Sequence, residues 1–185
     1  MKELSLNILD VAENSVKAGA ELTKIIIDET NEDLLLKIID NGCGMSEETV
    51  RMVTDPFYTT RTTRKVGLGV PLLKLAAEQT GGRFSIVSKP EEKYPDDHGT
   101  QVEARFVKNH LDYTPLGNVV STVTTLIQGH PDTDFQFLHS VSGKTIATLD
   151  TREIRQVLGD VSLSEYEVIK WIEEYLKEQY SENSL

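Results

Sequence analysis

The 185-residue chain has a single cysteine, Cys43, and a single tryptophan, Trp171. One cysteine excludes an internal disulfide, and no Cys/His cluster has the spacing of a zinc site. No apolar run approaches the roughly 20 residues that span a bilayer. The first fifteen residues, MKELSLNILDVAENS, lack the apolar core of a signal peptide and carry acids throughout. Basic residues are scarce as well: 19 Lys and Arg stand against 30 Asp and Glu, a formal net charge of -11. A chain of that sign does not hold nucleic acid through its overall field, because phosphate contacts need a basic face. Internal repeats and low-complexity tracts are missing too. These absences predict a reduced, cytoplasmic setting and neither nucleic acid nor membrane as partner.

What is present suffices for a core. Hydrophobic residues make up 38% of the chain, above the range of disordered sequences. Residues 3–17 place Leu4, Ile8, Val11, Ala12 and Ser15 on one helical face, with Gly19 as C-cap. KIIID (24–28) and LLLKIID (34–40) read as an antiparallel hairpin turning at TNED. Ser46 caps a short helix that Asp55-Pro56 stops. YTTRTTRKVGLG is a long polar loop, and such loops in compact domains are functional or disordered. VPLLKLAAEQTGG is a helix, RFSIVS (83–88) and TQVEARF (100–106) are strands, and NHLDYTPLG is a linker. The order helix, strand, strand, loop, helix, strand, strand predicts an α+β sandwich, with helices on one face of a mostly antiparallel sheet.

A first domain, 1–108, is therefore expected to be followed by a smaller α+β unit, 109–185, whose function the residues do not state. In it VVSTVTTLIQ reads as a helix, DFQFLHS and KTIATLD as a hairpin at Ser142-Gly143, and the last 35 residues as two helices. The second of these carries a Ser164…Glu167 capping box. Residues 151–185 hold four basic and eight acidic residues, which favours a protein partner over DNA. Val168, Trp171, Ile172 and Tyr175 are expected in the core.

Four segments bear on chemistry. DVAEN (10–14) puts Asp10 and Asn14 one helical turn apart, with Lys17 near the same face. A carboxylate, an amide oxygen and an ammonium on one stripe can hold a water, a magnesium ion and a phosphate; an ordinary polar helix face has the same look. DNGCGM (40–45) follows a strand and is a turn by its Asn-Gly. VGLGV (66–70) enters a helix whose N-terminus favours an anion. HGT (98–100) sets a threonine hydroxyl before the last strand. Each is weak alone.

Together, in this order and spacing, they resemble the GHKL superfamily of ATP-binding domains (gyrase, heat-shock chaperones, histidine kinases and MutL) over about residues 3–107. AENSVKAGA is similar to the N-box, with ENS…AGA closest to MutL. DNGCGM resembles the G1 box, DPFYTTR with VGLGV the F and G2 boxes of histidine kinases, and HGT the last box. The resemblance implies a Bergerat-type sandwich that binds ATP with Mg2+. It implies Asn14 as the magnesium ligand, and Asp10 as the acid that orients or deprotonates water, where gyrase and MutL have glutamate. It implies Asp40 as the acceptor of the adenine amino group, with Thr100 helping through water, and Gly42, Gly44 and Met45 around the base. Gly67, Leu68 and Gly69 would line the triphosphate, and Lys17, Arg61 and Lys65 are cationic candidates beside it. Phe57 is expected to pack a lid, and Cys43 to be small and buried. Lys65 stands where histidine kinases have a glycine.

Three uses of ATP follow from the resemblance: hydrolysis tied to a conformational state, phosphorylation of a separate protein, and nucleotide sensing by an adaptor. A sensor kinase needs a histidine on a helix before this domain. Only two residues precede the first helix and all four histidines come later, so an autonomous sensor kinase is disfavoured. GHPDTDFQFLHSVSGKT (129–145) resembles the segment after the MutL core. In MutL and gyrase a lysine of the next domain reaches the terminal phosphate, a role not carried over to Lys144. A protein partner through residues 109–185 is expected, and a homodimer stays open.

Overall fold

The computed structural model describes residues 3–55 and 68–183. The elements run α1 (Leu4–Lys17), β1 (Leu22–Glu29), β2 (Asp33–Asp40), α2 (Glu47–Thr54), α3 (Gly69–Gln79), β3 (Arg83–Lys89), β4 (Gly99–Val107), α4 (Val119–Gly129), β5 (Asp134–Val141), β6 (Lys144–Asp150), α5 (Thr151–Leu158) and α6 (Tyr166–Asn183). The six strands form one sheet in the order β3-β4-β2-β1-β5-β6. Every pairing is antiparallel except β1 with β5. This is the α+β sandwich expected from the residues.

The alternation of the strands decides which face is buried. Ile25 and Ile27 of β1, Leu34, Leu36 and Ile38 of β2, Val102, Ala104 and Phe106 of β4, and Phe135 and Phe137 of β5 form one apolar surface. Leu4, Ile8 and Val11 of α1, Leu73 and Ala77 of α3, Val123 and Leu126 of α4, and Ile172 and Leu176 of α6 join them in a single core. Away from the helices the sheet carries polar pairs instead, such as Lys37 with Glu103 at 3.2 Å.

The chain after Lys108 is woven into this arrangement. The first amides of α1 have no side-chain cap. They donate to carbonyls of the expected linker, Leu4 to Pro115 (2.9 Å) and Ser5 to Leu116 (2.8 Å). Orphan helix amides must find acceptors, and here the linker supplies them. β5 then lies along β1 over its whole length, with Leu22 opposite Asp134 and Glu29 opposite Val141. The β5–β6 hairpin turns at Ser142 and Gly143, both at positive φ, as its residues suggest.

Two expectations need correction. Trp171 and Tyr175 are exposed, and only Val168 and Ile172 of that group are buried. Helical periodicity places Trp171 beside Ile172 but cannot say which of two neighbours faces inward. The α5–α6 turn is held by Ser162, whose hydroxyl accepts from the Ser164 amide at 3.2 Å, in place of a Ser164…Glu167 box.

Candidate functional site

At the end of the sheet where β2 stops, a cavity of about 210 Å³ opens between α1 and the strands. Asn14, Ser15, Asp40, Gly44, Met45 and Thr100 line it, with Val11, Val53, Val70, Ile86 and Val102 as apolar walls. The register across the sheet sets Thr100 of β4 beside Asp40 of β2.

Asp40 is fixed from two sides. The Ser15 hydroxyl donates to Oδ2 at 2.7 Å, and the Gly42 amide donates to Oδ1 at 2.9 Å. Both donors are neutral, and they occupy about half of the carboxylate's lone-pair positions. Ser15 comes from the buried stripe of α1, one residue after Asn14, and its only local mark is a small polar residue on an apolar face. Thr100 is held too: its hydroxyl lies 2.8 Å from that of Ser88, which accepts from the Met45 amide at 2.8 Å. Ser88 is a second residue that sequence reasoning missed; the alternation of β3 alone contained the hint.

The loop after Asp40 is a built turn. The Cys43 amide donates to the Ala18 carbonyl and the Glu91 amide to the Cys43 carbonyl, each at 2.9 Å. Asn41 Oδ1 accepts from the amides of Glu21 and Leu22, both at 2.9 Å. His98 Nδ1 lies 2.6 Å from the Gly42 carbonyl. Gly44 has φ +66, and a Cβ there would stand 2.0 Å from the Lys89 carbonyl oxygen. Its glycine thus clears the neighbouring loop as well as the cavity it lines. Cys43, expected to be buried, has its side chain exposed. Its backbone is what the turn uses, and a turn residue that bonds through its main chain is free to point outward.

The other candidates lie off this cavity or outside the described residues. Asp10 and Lys17 are exposed on α1 and do not line it. Gly69 begins α3 directly against α1, where a Cβ would stand 2.7 Å from the Asp10 Cβ. Glycine therefore lets the α3 N-terminus approach Asp10. Leu68 is exposed at the N-cap of α3, which has no side-chain cap. Among the described residues no side chain caps its first turn, and an uncapped helix start favours an anion. Phe57, Arg61, Lys65 and Gly67 lie outside the described residues. Lys144 is at the opposite end of the sheet from Asp40, paired with Val141. Among the described residues no three or more His, Cys, Asp or Glu side chains converge as a metal site, and no helix is long and apolar enough to cross a membrane.

Residues 2–111 match the family model of histidine kinase-, DNA gyrase B- and HSP90-like ATPases. The chain belongs to this family. Its GHKL-type ATP-binding domain is similar to the sensor protein KdpD of Clostridium acetobutylicum, 31% identical over 94 residues. It is also similar to the cell-division control histidine kinase PdhS of Brucella anthropi, 28% identical over 119 residues. Those matches cover 48% and 57% of this chain but only 10% and 11% of the relatives, so the chain spans about a tenth of their length. Among solved structures, the ADP-bound MutL ATPase domain of Aquifex aeolicus has the same fold, with a TM-score of 0.55 at 16% identity. That likeness covers 85% of this chain and 69% of the other, so it extends past residue 111. The N-terminal domain of a DNA repair protein is alike at a TM-score of 0.56 and 16% identity, over 80% of this chain and 53% of that one.

Proposed function

We propose that the chain binds ATP with Mg2+ in the Asp40 cavity and hydrolyses it slowly, the nucleotide setting a conformational state that a partner protein reads. The observation that carries this is the Asp40 carboxylate, held by Ser15 and Gly42 at the floor of an apolar-walled cavity with acceptor capacity to spare. At about 210 Å³ the cavity is below the roughly 300–1,000 Å³ of pockets that swallow whole ligands. It suits a heterocyclic base, with the phosphates outside it.

In this reading Asp40 accepts from the adenine amino group, and Thr100, steadied by Ser88, assists from the adjacent strand. The phosphates face the uncapped first turn of α3, whose Gly69 and Val70 amides donate to them. Lys17, Arg61 and Lys65 supply positive charge. Asn14 offers one amide oxygen to magnesium, which prefers oxygen donors and keeps several waters, so a single protein ligand fits. Bound magnesium would offset the charge of the phosphate oxygens. Asp10, held beside the α3 N-terminus, orients the attacking water, and its short side chain favours orientation over proton abstraction.

Phosphoryl transfer to a separate protein is the second reading, favoured by the kinases among the relatives. Transfer to a histidine of this chain has little support. His98, His130 and His139 are bonded to Gly42, Glu13 and Glu29, and His110 Nδ1 accepts from the Asp112 amide.

The test is incubation of the chain with γ-labelled ATP and extract of its source cells. Free labelled phosphate that falls at least tenfold in Asp10→Asn, with ATP affinity kept, is the expected outcome. A labelled partner protein would establish the kinase, and neither product would leave an ATP sensor. Calorimetry on Asn14→Ala checks the site itself: Mg-ATP binding is expected to vanish, and unchanged affinity would remove the assignment.

A further inference from the structure

A second and larger cavity, about 640 Å³, lies between α5, α6 and the ends of β5 and β6. Ile154, Val157 and Leu158 of α5 face Val168, Trp171 and Tyr175 of α6 across it. Large apolar groups are left in water at its lip: Val157 is 88% exposed and Trp171 51%. Trp171 and Tyr175 stack, with ring centroids 5.1 Å apart and planes within 9°. Scattered apolar residues on a surface mean little, but a concave apolar patch with an aromatic pair at its rim marks an interaction site.

The charged residues lining the groove are Asp150, Glu153 and Glu167, all acidic. Asp150 is taken by Arg152, with Nε 2.9 Å from Oδ1. Glu153 and Glu167 make no ion pair among the described residues. The adjoining edge of β6 is closed to an added strand. The Gln179 side chain accepts from the Thr148 amide and donates to the Thr148 carbonyl, both at 3.0 Å, and Asn183 donates to the Ile146 carbonyl at 3.2 Å. A partner segment entering here cannot extend the sheet, whereas a helix can lay an apolar face between α5 and α6.

We propose that this groove docks an amphipathic helix of a partner protein, whose apolar face fills the space between α5 and α6 and whose flanking Lys or Arg residues pair with Glu153 and Glu167. Charge complementarity selects this occupant. A second copy would bring its own acidic lip and its own -11 charges to the contact. An anionic membrane is repelled for the same reason. The inference does not depend on what the Asp40 cavity binds.

Trp171 is the only tryptophan in the chain, so its emission reports on this groove directly. The full chain is titrated with two synthetic helical peptides that share Leu at i, i+3, i+4 and i+7 and differ only in Lys or Glu flanks. A saturable blue shift with the Lys-flanked peptide is expected, with affinity at least tenfold above that of the Glu-flanked one. Glu153→Lys combined with Glu167→Lys should invert that order. The double variant still carries -7 (-11 plus four units), so inversion reports the groove and not the net charge. Val157→Lys changes a side chain already in solvent and should weaken the Lys-flanked peptide at least tenfold. No saturable shift with either peptide, equal affinity for both, or an order that the double variant does not invert would overturn the proposal. A dimer in analytical ultracentrifugation that Val157→Lys dissolves would overturn it in favour of a second copy.

Discussion

Two carboxylates, Asp40 and Glu29, mark opposite ends of one sheet on the same helix-facing side, and they are treated in opposite ways. Asp40 is held by neutral donors, Ser15 and the Gly42 amide, and opens on a cavity. Glu29 is enclosed by an imidazole and an ammonium group. His139 Nε2 lies 2.9 Å from Oε1, Lys108 Nζ donates to Oε2 at 2.7 Å, and Tyr180 closes the far side of the imidazole at 2.7 Å from Nδ1. The His139 contact first, then Lys108, hold the Glu29 carboxyl down at about 2 against the opposing pull of burial. Burial, reinforced by the Glu29 charge, pushes the Tyr180 phenol well above its ordinary value. The lesson is about remaining capacity. A carboxylate paired with a cation inside the fold serves stability, whereas one fixed by two neutral donors keeps acceptor positions open.

The largest effect is expected at Glu29. Glu29→Ala strands Lys108 and a buried His139. It is expected to cost about 2–3 kcal/mol of stability in urea denaturation, short of the roughly 3–5 kcal/mol of a fully buried pair because Lys108 is 26% exposed. ATP affinity should barely change. The pH dependence has a definite sign: a carboxyl lowered from 4.5 to about 2 stabilises fully above about pH 4.5 and loses its contribution as pH falls toward 2. Glu29→Gln should flatten the acid limb of a stability-versus-pH curve across that window, and an unchanged limb would show that the pair does not act as drawn.

At the other end, Asp40→Asn should lower ATP affinity by about 10- to 100-fold, the scale of a hydrogen bond to a charged group. Its unfolding free energy should move by less than that of Glu29→Ala; the reverse ranking would erase the distinction between the two ends. Ser15→Ala removes one of the two donors that fix Asp40. A stability loss of about 0.5–1.5 kcal/mol is expected from denaturation, with a smaller affinity loss than Asp40→Asn in calorimetry. The smallest effect belongs to Cys43→Ser, whose exposed side chain leaves the turn's main-chain bonds intact; stability should stay within about 0.5 kcal/mol.

Much of this was legible in the sequence because it is local. The stripe of α1, the β1–β2 hairpin, the Ser46 cap and the Ser142-Gly143 turn announce themselves within a few residues. Asp40 at a strand end followed by glycines also reads directly. What resisted reading is long-range. The parallel pairing of β1 with β5 has no turn to signal it, since parallel neighbours need a long crossover. The bonds of Ser15 to Asp40 and of Ser88 to Thr100 join residues 25 and 12 positions apart, and nothing in a hydroxyl names its partner. The close approach of Gly69 to Asp10 arises only where α3 meets α1, 59 positions apart in the chain, and has no local mark. Trp171 was misplaced because an aromatic on an amphipathic helix fits a core or a docking face equally well.

The seam between β1 and β5 has a further consequence for how this molecule can be cut. The family match ends at residue 111, but β1 is an interior strand only because β5 lies along it. A fragment trimmed to the match would bare the hydrogen-bonding rim of KIIID, a β-branched apolar run of the kind that recruits other strands. It would also strip the carbonyls of Pro115 and Leu116 from the start of the helix that carries Asp10 and Asn14. Any shorter protein built on the same N-terminal plan must seal that rim by some other means.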